Sequence, residues 1–549
     1  MVPGNRQHRA ERASAVESPE LDVLIVGAGF SGLYMLHRAR DVLGLRARVF
    51  EAADGVGGTW YWNRYPGARC DSESFYYCYS FSEELEQEWV WTSKYPEQPE
   101  ILSYLEHVAD RFDLRRDIEL GKRVVSARFD EAGDRWEVET DSGQRVSARF
   151  LVSAVGCLSS TNVPEIQGLE AFEGDWYHTG AWPHDGVDFR GKRVGLVGTG
   201  STGIQATPVI AAEADHLTVF QRTPNYSVPA RNAPLTEEAL REIKAHYREI
   251  RERARESFGG FPYQRVERSA FEVDDEEREE IYQRLWQEGG FKFMWGSFND
   301  LLFNADANES AADFVRRKIR ETVKNPDVAE KLVPTDHPFG TKRPPIDTNY
   351  FETFNRDNVS LVDIREAPIQ EITPHGIRTE EAEYELDIIV FATGFDAMTG
   401  SLLRMDVRGL GGRSLDEKWK EGPKTYLGLQ VAGFPNLFTI TGPGSPSVLS
   451  NMPVSIEQHV EWISDCIEHM RAQGLTRIEA TEEAEEQWVD HVRQVADLTL
   501  FTKADSWYVG ANIVGKKRVF MPYVGGLVSY RQRCDEVARE GYAGFEFRP

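Results

Sequence analysis

Two glycine triplets carry the most pointed chemistry in the sequence. Gly27, Gly29 and Gly32, in LDVLIVGAGFSGLYMLHRAR, follow a short apolar run and open a segment with apolar residues at helical spacing. Nineteen residues beyond Gly32 a second apolar run, ARVF, ends in Glu51. Each part has a task in dinucleotide binding. Gly27 permits the tight turn, Gly29 lets the backbone approach a pyrophosphate, and Gly32 lets helix pack on strand. The helix N-terminus offers partial positive charge to the phosphates. Glu51 can accept hydrogen bonds from both ribose hydroxyls, which requires an unphosphorylated ribose.

The pattern recurs with one change. Gly198, Gly200 and Gly203 follow the run at 194–197, and nineteen residues beyond Gly203, after LTVF, stand Arg222 and Thr223. An arginine in place of the ribose-binding acid suits a 2′-phosphate and selects NADP over NAD. One module for a bare ribose and one for a phosphorylated ribose are the pair expected of FAD and NADPH, since a nicotinamide delivers hydride to a flavin. Glycine-rich turns without any nucleotide are the alternative, and they leave the matching offsets unexplained.

Flavin with NADPH leaves disulfide reduction, dehydrogenation, electron transfer and oxygen activation open. The five cysteines, Cys70, Cys78, Cys157, Cys466 and Cys534, include no C-x-x-C and are too scattered for a disulfide framework or a metal site. Cys70 and Cys78, in GARCDSESFYYCYS, read as buried free thiols rather than a redox pair.

The segment FEGDWYHTGAWP resembles the Baeyer–Villiger monooxygenases. Their pattern F-x-G-x-x-x-H-x-x-x-W, followed by proline or aspartate, is met at Phe172, Gly174, His178, Trp182 and Pro183. The likeness runs on through GGTWYWNRYPGARCDSES, KRPPIDTNYFETFNRDNV and TGPGSPSVLSNM, and it covers nearly everything after about residue 20. It is strongest to the subgroup of phenylacetone and steroid monooxygenases.

That resemblance implies a reaction. NADPH reduces FAD, dioxygen forms a flavin peroxide anion, and the anion attacks a ketone to give an ester or lactone. Two physical demands follow: a permanent cation for the developing negative charge, and exclusion of water. By resemblance Arg343, in GTKRPP, is the catalytic cation, and a guanidinium suits the task because it never deprotonates and offers fixed donors. Asp71 is the carboxylate that orients it, and pairing with a cation is expected to depress its pKa. Read without the resemblance, Lys342 and Arg343 would form a solvated basic pair.

Other roles follow in the same way. Lys342 is expected to reach the NADP 2′-phosphate with Arg222, and Thr223 to add a hydroxyl donor. Trp507, in ADSWYVGANIVGKKRVF, resembles a residue of the mobile loop that closes over NADP, the alternative being a core tryptophan. Pro446, Ser447, Val448 and Leu449 match a substrate loop. Gly58 and Trp60 are expected at the flavin, with Tyr61, Trp62 and Tyr65 facing it or filling core. His178 is either an acid–base group or, as favoured, a hydrogen-bonding residue that fixes the linker. Oxygenation of sulfur or nitrogen is a second enzymatic reading, and a non-catalytic nucleotide-binding protein is one from another class.

The elements that must position these residues can be read in outline. The runs at 151–156 and 388–396 are buried strands ending in glycine, similar to the crossovers of two-domain flavoproteins. The expected fold is α/β, with two Rossmann-like dinucleotide-binding domains. The FAD domain spans 21–149 and 394–549, and the NADP domain spans 150–393. Charged amphipathic helices at about 231–335 form an insertion in the NADP domain that caps the cleft. Residues 1–20 read as a disordered tail with no apolar core of a signal peptide.

Composition sets the outer limits. Of 549 residues 41% are hydrophobic and 28% charged, a globular balance long enough for several domains. A formal charge of −26 disfavours nucleic acid and anionic membrane surfaces, so an anionic cofactor needs a local basic pocket. No apolar run approaches the ~18 residues of a membrane helix. A cytoplasmic enzyme acting on a small ketone and dioxygen, with no obligate protein partner evident, is the resulting expectation.

Overall fold

The computed structural model of the protein describes residues 20–264 and 266–549. The expected tail at 1–20 therefore lies, apart from Glu20, outside the described residues. The chain begins with strand β1, Leu21–Val26, then helix α1, Phe30–His37, and strand β2, Ala47–Phe50, which pairs parallel with β1. β3, Ile118–Glu119, extends this sheet beyond β2. An antiparallel meander follows, made of β4, Val124–Asp130, β5, Arg135–Thr140, and β6, Arg145–Ser153. β6 then runs parallel to β1 on its other side. Such parallel central strands are buried on both faces, which is why they read as unbroken apolar runs.

The chain next builds a second sheet. β7, Asp175–His178, β8, Arg193–Val197, helix α2, Ser201–Glu213, β9, His216–Gln221, β10, Val359–Asp363, and β11, Ile388–Phe391, give the strand order β10-β9-β8-β11-β7. Every pairing in it is parallel. The chain finally returns to the first sheet, adding β12, Asp406–Arg408, beside β4 and β13, Leu437–Thr439, beside β6. Helix α3, Met452–Gln473, packs against α1.

Two sheets with this connectivity are the expected α/β pair of Rossmann-like cores. One expected boundary needs correcting. The break at 149/150 falls inside β6, because Phe150, Leu151, Val152 and Ser153 are all buried between β1 and β13 and continue the first sheet. The FEGDWYH segment is likewise more than a linker: its last four residues are β7, the edge strand of the second sheet. Among the described residues, the stretch between β9 and β10 carries helices from Glu237–Ala245 to Pro326–Leu332, the expected insertion, followed by a further short helix, Tyr350–Thr353.

The two glycine turns are built alike. Gly27 sits at φ +106°, and a Cβ there would lie 2.6 Å from the Ala154 carbonyl oxygen; Gly198 sits at φ +112°, with its Cβ position 2.5 Å from the Ala392 carbonyl oxygen. A Cβ on Gly32 or Gly203 would lie 1.8 or 2.1 Å from the carbonyl oxygen of Gly27 or Gly198. Ala154 and Ala392 belong to the two runs that end β6 and β11. Each crossover strand thus presses its last turn against a glycine loop, and both loops open at the carboxyl ends of their strands, where ligands bind in such sheets.

This geometry separates two glycines in one motif. A Cβ at Gly200 meets nothing within 4 Å, whereas one at Gly203 strikes backbone. Gly203→Ala should lower unfolding stability by about 2 kcal/mol or more, while Gly200→Ala leaves thermal unfolding near wild type and weakens nucleotide binding instead. Equal melting temperatures for the two variants would contradict the assignment.

Candidate active site

A cleft of about 1980 Å³ runs between the carboxyl ends of the two sheets, lined by both glycine loops. The first loop and its surroundings fit a flavin dinucleotide. Glu51 is buried with its Oε2 accepting from the Ala28 N–H at 2.6 Å and its Oε1 from the Ala53 N–H at 2.8 Å. Burial pushes its pKa up against those two donors, and each oxygen keeps a lone pair for a ribose hydroxyl. Gly58 sits at φ +53° with its Cβ position 2.8 Å from Gly29 Cα, so two side-chain-free segments meet where the pyrophosphate would lie. Trp60 is buried beside them, its Nε1 donating to the Tyr77 hydroxyl at 3.3 Å.

The second loop fits a phosphorylated dinucleotide. The open space at Gly200 is the cradle that a Cβ would fill. Thr199 Oγ1 donates to the Thr223 carbonyl at 2.9 Å and ties the loop to the residues after β9. Arg222, Thr223 and Lys342 all line this part of the cleft. Lys342 has its pKa lowered by burial first and by the charge of Arg222, with Asp336 opposing. Its Nζ stands 3.6 Å from Asp336 Oδ2. Although burial pushes Asp336 up, His337 and Lys342 together hold it at about 2. Two cations, one of them paired with a carboxylate, give the local basic pocket that a −26 chain needs for an anionic cofactor.

Between the loops lies the arginine–aspartate pair. Arg343 Nη1 donates to the Val448 carbonyl at 3.1 Å, its Nε stands 3.6 Å from Asp71 Oδ2, and its guanidinium lies over the Phe291 ring at 4.9 Å from the centroid. Among the described residues no protein acceptor meets Nη2. Asp71 corrects the sequence expectation of a depressed pKa. Burial pushes its pKa up by more than Arg343 brings it down, because a cation 3.6 Å away does not replace the lost water. A second partner explains how the carboxylate is still fixed. Gln205, on α2, donates from Nε2 to Asp71 Oδ1 at 3.3 Å and to the Arg69 carbonyl at 3.2 Å, and accepts from the Tyr65 hydroxyl at 2.8 Å.

The other expected residues divide. Val448 lines the cleft, but Pro446, Ser447 and Leu449 do not. Ser447 is buried, its hydroxyl donating to the Thr441 carbonyl at 3.2 Å. Trp507 lines the cleft and packs on Tyr508, the centroids 4.3 Å apart and the rings tilted at 46°. Trp62 and Tyr65 reach the cleft, whereas Tyr61 packs on His184. Phe172, Gly174, His178 and Trp182 stand outside it. Phe172 packs on a small cluster behind the second sheet, and Trp182 lies in the core between Tyr177 and Phe189. A Cβ at Gly174 would lie 2.4 Å from the Asp387 carbonyl oxygen. His178 Nδ1 accepts from the Gly180 N–H at 3.0 Å and Nε2 faces Thr393 Oγ1 at 3.4 Å, with burial lowering its pKa. It is a neutral brace in a backbone corner.

Gln205, Asp336 and Phe291 escaped the sequence reading. Gln205 sits two residues after Gly203 on a helix already placed, and Asp336 precedes the KRPP run, but neither spacing marks a contact between distant segments. The Gly289–Gly290 pair before Phe291 was a usable signal of a constrained turn.

The family described as pyridine nucleotide-disulphide oxidoreductase matches residues 24–312. A protein of Pseudooceanicola batsensis named Baeyer-Villiger monooxygenase is 47% identical over 525 residues, 95% of this chain and 95% of its own. A phenazine N-monooxygenase of Lysobacter antibioticus is 45% identical over 531 residues, 96% of this chain and 97% of its own. The solved structure of an oxidized steroid monooxygenase bound to NADP superposes with a TM-score of 0.92 at 55% identity, covering 96% of this chain and 99% of that one. The name of the broad family does not extend to a redox disulfide here. Cys70 and Cys78 are both free and buried; the Cys70 thiol accepts from the Ser72 N–H at 3.3 Å and that of Cys78 from Arg251 at 3.1 Å.

Two outcomes follow from this geometry. Arg222→Ala and Lys342→Ala should each raise the KM for NADPH about tenfold or more, consistent with loss of a charge-assisted contact, and leave that for NADH nearly unchanged. Retention of the wild-type preference by both variants would contradict the pocket. Asp71 must be ionised to hold Arg343, so activity should fall as pH drops through its raised pKa, above the usual aspartate range. In pH–rate profiles Asp71→Asn should lack that acid limb; an unchanged limb would assign it to another group.

Proposed function

The chain belongs to the Baeyer–Villiger monooxygenases, and from that premise we propose how its own residues serve the reaction. It is an NADPH- and FAD-dependent monooxygenase that turns a ketone into an ester or lactone. One oxygen atom of dioxygen enters beside the carbonyl as a carbon–carbon bond gives way to carbon–oxygen bonds. The other leaves as water, with the electrons drawn from NADPH. Bound flavin and reduced nicotinamide supply those electrons and the activated oxygen.

The chain's part is positioning and charge. Glu51, Gly27, Gly29, Gly32, Gly58 and Trp60 hold the flavin dinucleotide at the first sheet. Gly198, Gly200, Gly203, Arg222, Thr223 and Lys342 hold NADP at the second. Arg343 is the cation for the negative charge that develops on the carbonyl oxygen of the ketone, with its Nη2 hydrogens directed to that oxygen. Asp71 orients Arg343 through an ion pair and is fixed in turn by a hydrogen bond from Gln205, so the oxygen-transfer site and the NADP-binding helix are linked through one carboxylate. Val448 anchors the arginine from the substrate loop, and Trp507 covers the NADP side and excludes water.

The observation that carries this reading is the placement of Arg343 on the cleft wall with a carboxylate, a carbonyl and a ring as its neighbours and one nitrogen still to be met. The ketone class rests on relatives named cyclohexanone, acetone and cyclopentanone monooxygenase, 44%, 43% and 42% identical over 96% of this chain, and dioxygen as co-substrate belongs to the same proposal. Oxygen transfer to nitrogen is the second reading, supported by the 45% identity to a phenazine N-monooxygenase. Action in the cytoplasm without an obligate protein partner is also proposed; five unpaired cysteines suit a reducing compartment. No helix among the described residues is long and apolar enough to cross a membrane.

Removing one oxyanion donor typically costs about 10²–10³ in kcat. Arg343→Ala should lose ester or lactone formation by at least that factor on a ketone panel, while NADPH still reduces the flavin and hydrogen peroxide accumulates. Undiminished ester formation would overturn the role of Arg343. Efficient N-oxidation of aromatic amines with no ketone turnover would favour the second reading.

A further inference from the structure

The helical insertion places one residue directly on the arginine. Phe291 is 3% exposed, caps the short helix Lys292–Trp295, and lies under the Arg343 guanidinium at 4.9 Å. Its backbone has little freedom. Gly289 and Gly290 precede it at φ +75° and +68°, a Cβ on Gly290 would lie 2.0 Å from the Tyr95 hydroxyl, and the Gly290 N–H donates to the Pro229 carbonyl at 2.8 Å. Its ring is pinned edgewise by Phe261 at 5.6 Å and 62°. Phe261 is held near the substrate loop, because the Asn451 N–H donates to the Gly259 carbonyl at 2.8 Å.

We propose that Phe291 is a positioning residue for Arg343, presenting its π face to the guanidinium and so fixing the catalytic cation from the insertion side. The proposal rests on the reading of Arg343 as the cation of the reaction. The choice of an aromatic ring has a physical reason. A second carboxylate would take guanidinium hydrogens and neutralise part of the charge, whereas a ring face attracts the cation and consumes no donor. With Nε turned to Asp71 and Nη1 to Val448, the ring steadies the group and leaves Nη2 for the reacting oxygen. The insertion, expected to cap the cleft but contributing none of its described residues to the lining, then has a role at the chemistry itself.

The test keeps the shape of the ring and changes only its charge distribution. Phe291 is replaced in the full-length holoenzyme by 3,4,5-trifluorophenylalanine, by leucine and by tyrosine, with Arg343→Ala as the reference. Ester formation per NADPH oxidised, and the share recovered as hydrogen peroxide, are the readouts. The trifluoro variant and Phe291→Leu should lose about five- to tenfold in ester-forming turnover, with peroxide rising, and Phe291→Tyr, which keeps the π face, should rescue most of it. Thermal unfolding gives a readout independent of turnover: Phe291→Leu should destabilise wild type more than it destabilises Arg343→Ala. If the trifluoro variant matches wild type and the unfolding losses add, Phe291 does not act through Arg343, even where Arg343→Ala abolishes ester formation. If Arg343→Ala keeps ester formation, the reading of Arg343 itself fails, whatever Phe291 does.

Discussion

One guanidinium with its hydrogens left partly unspent is the constraint around which this molecule is arranged. A half-buried cation such as Arg343 has lost part of its water and needs partners, yet a fully compensated one has nothing to offer a reacting oxygen. The structure meets both conditions by giving Arg343 unlike neighbours. Asp71 supplies charge at 3.6 Å, Val448 a single carbonyl at 3.1 Å, and Phe291 a ring face at 4.9 Å. Each comes from a different part of the chain: Asp71 from the segment after the first glycine module, Val448 from the GPGSPSVLSN segment before α3, and Phe291 from the helical insertion. The arginine therefore reports whether all three are correctly assembled.

Around this point the two nucleotide modules repeat one solution. In each, a crossover strand ends against a glycine at φ near +110°, and the helix that follows is drawn in until only glycine fits in its first turn. The modules differ where the ribose lies, with a buried carboxylate in one and two cations in the other. Gln205 then joins them: it projects from the NADP-side helix to Asp71, so a shift of one sheet against the other is felt by the carboxylate that orients the cation. Such coupling gives an electron-transferring enzyme a physical route for matching cofactor binding to the state of its oxygen site.

Much of the fold could be read from sequence because its signals are local. The glycine triplets, the residues nineteen positions beyond them and the apolar runs at 151–156 and 388–396 depend on strand and turn chemistry within short windows. Arg343 and Asp71 came from resemblance, since nothing in KRPP or ARCDSES alone separates a catalytic pair from a solvated one. Three things were not legible. The reversed pKa of Asp71 depends on desolvation, a property of packing that no spacing encodes. Gln205 and Phe291 act across the chain on residues far away in sequence. The fingerprint around His178 was legible as a motif but its place was not; it braces the edge of the second sheet and stands away from the cleft.

The central claim is tested most directly by a crystal structure of the holoenzyme with FAD and NADP bound and a ketone or its product in the cleft. The account predicts the Arg343 Nη2 within hydrogen-bond reach, about 2.7–3.2 Å, of the ligand's oxygen, beside the flavin ring and with Asp71 still at its Nε. A guanidinium turned to bulk solvent, with another group meeting that oxygen, would contradict it.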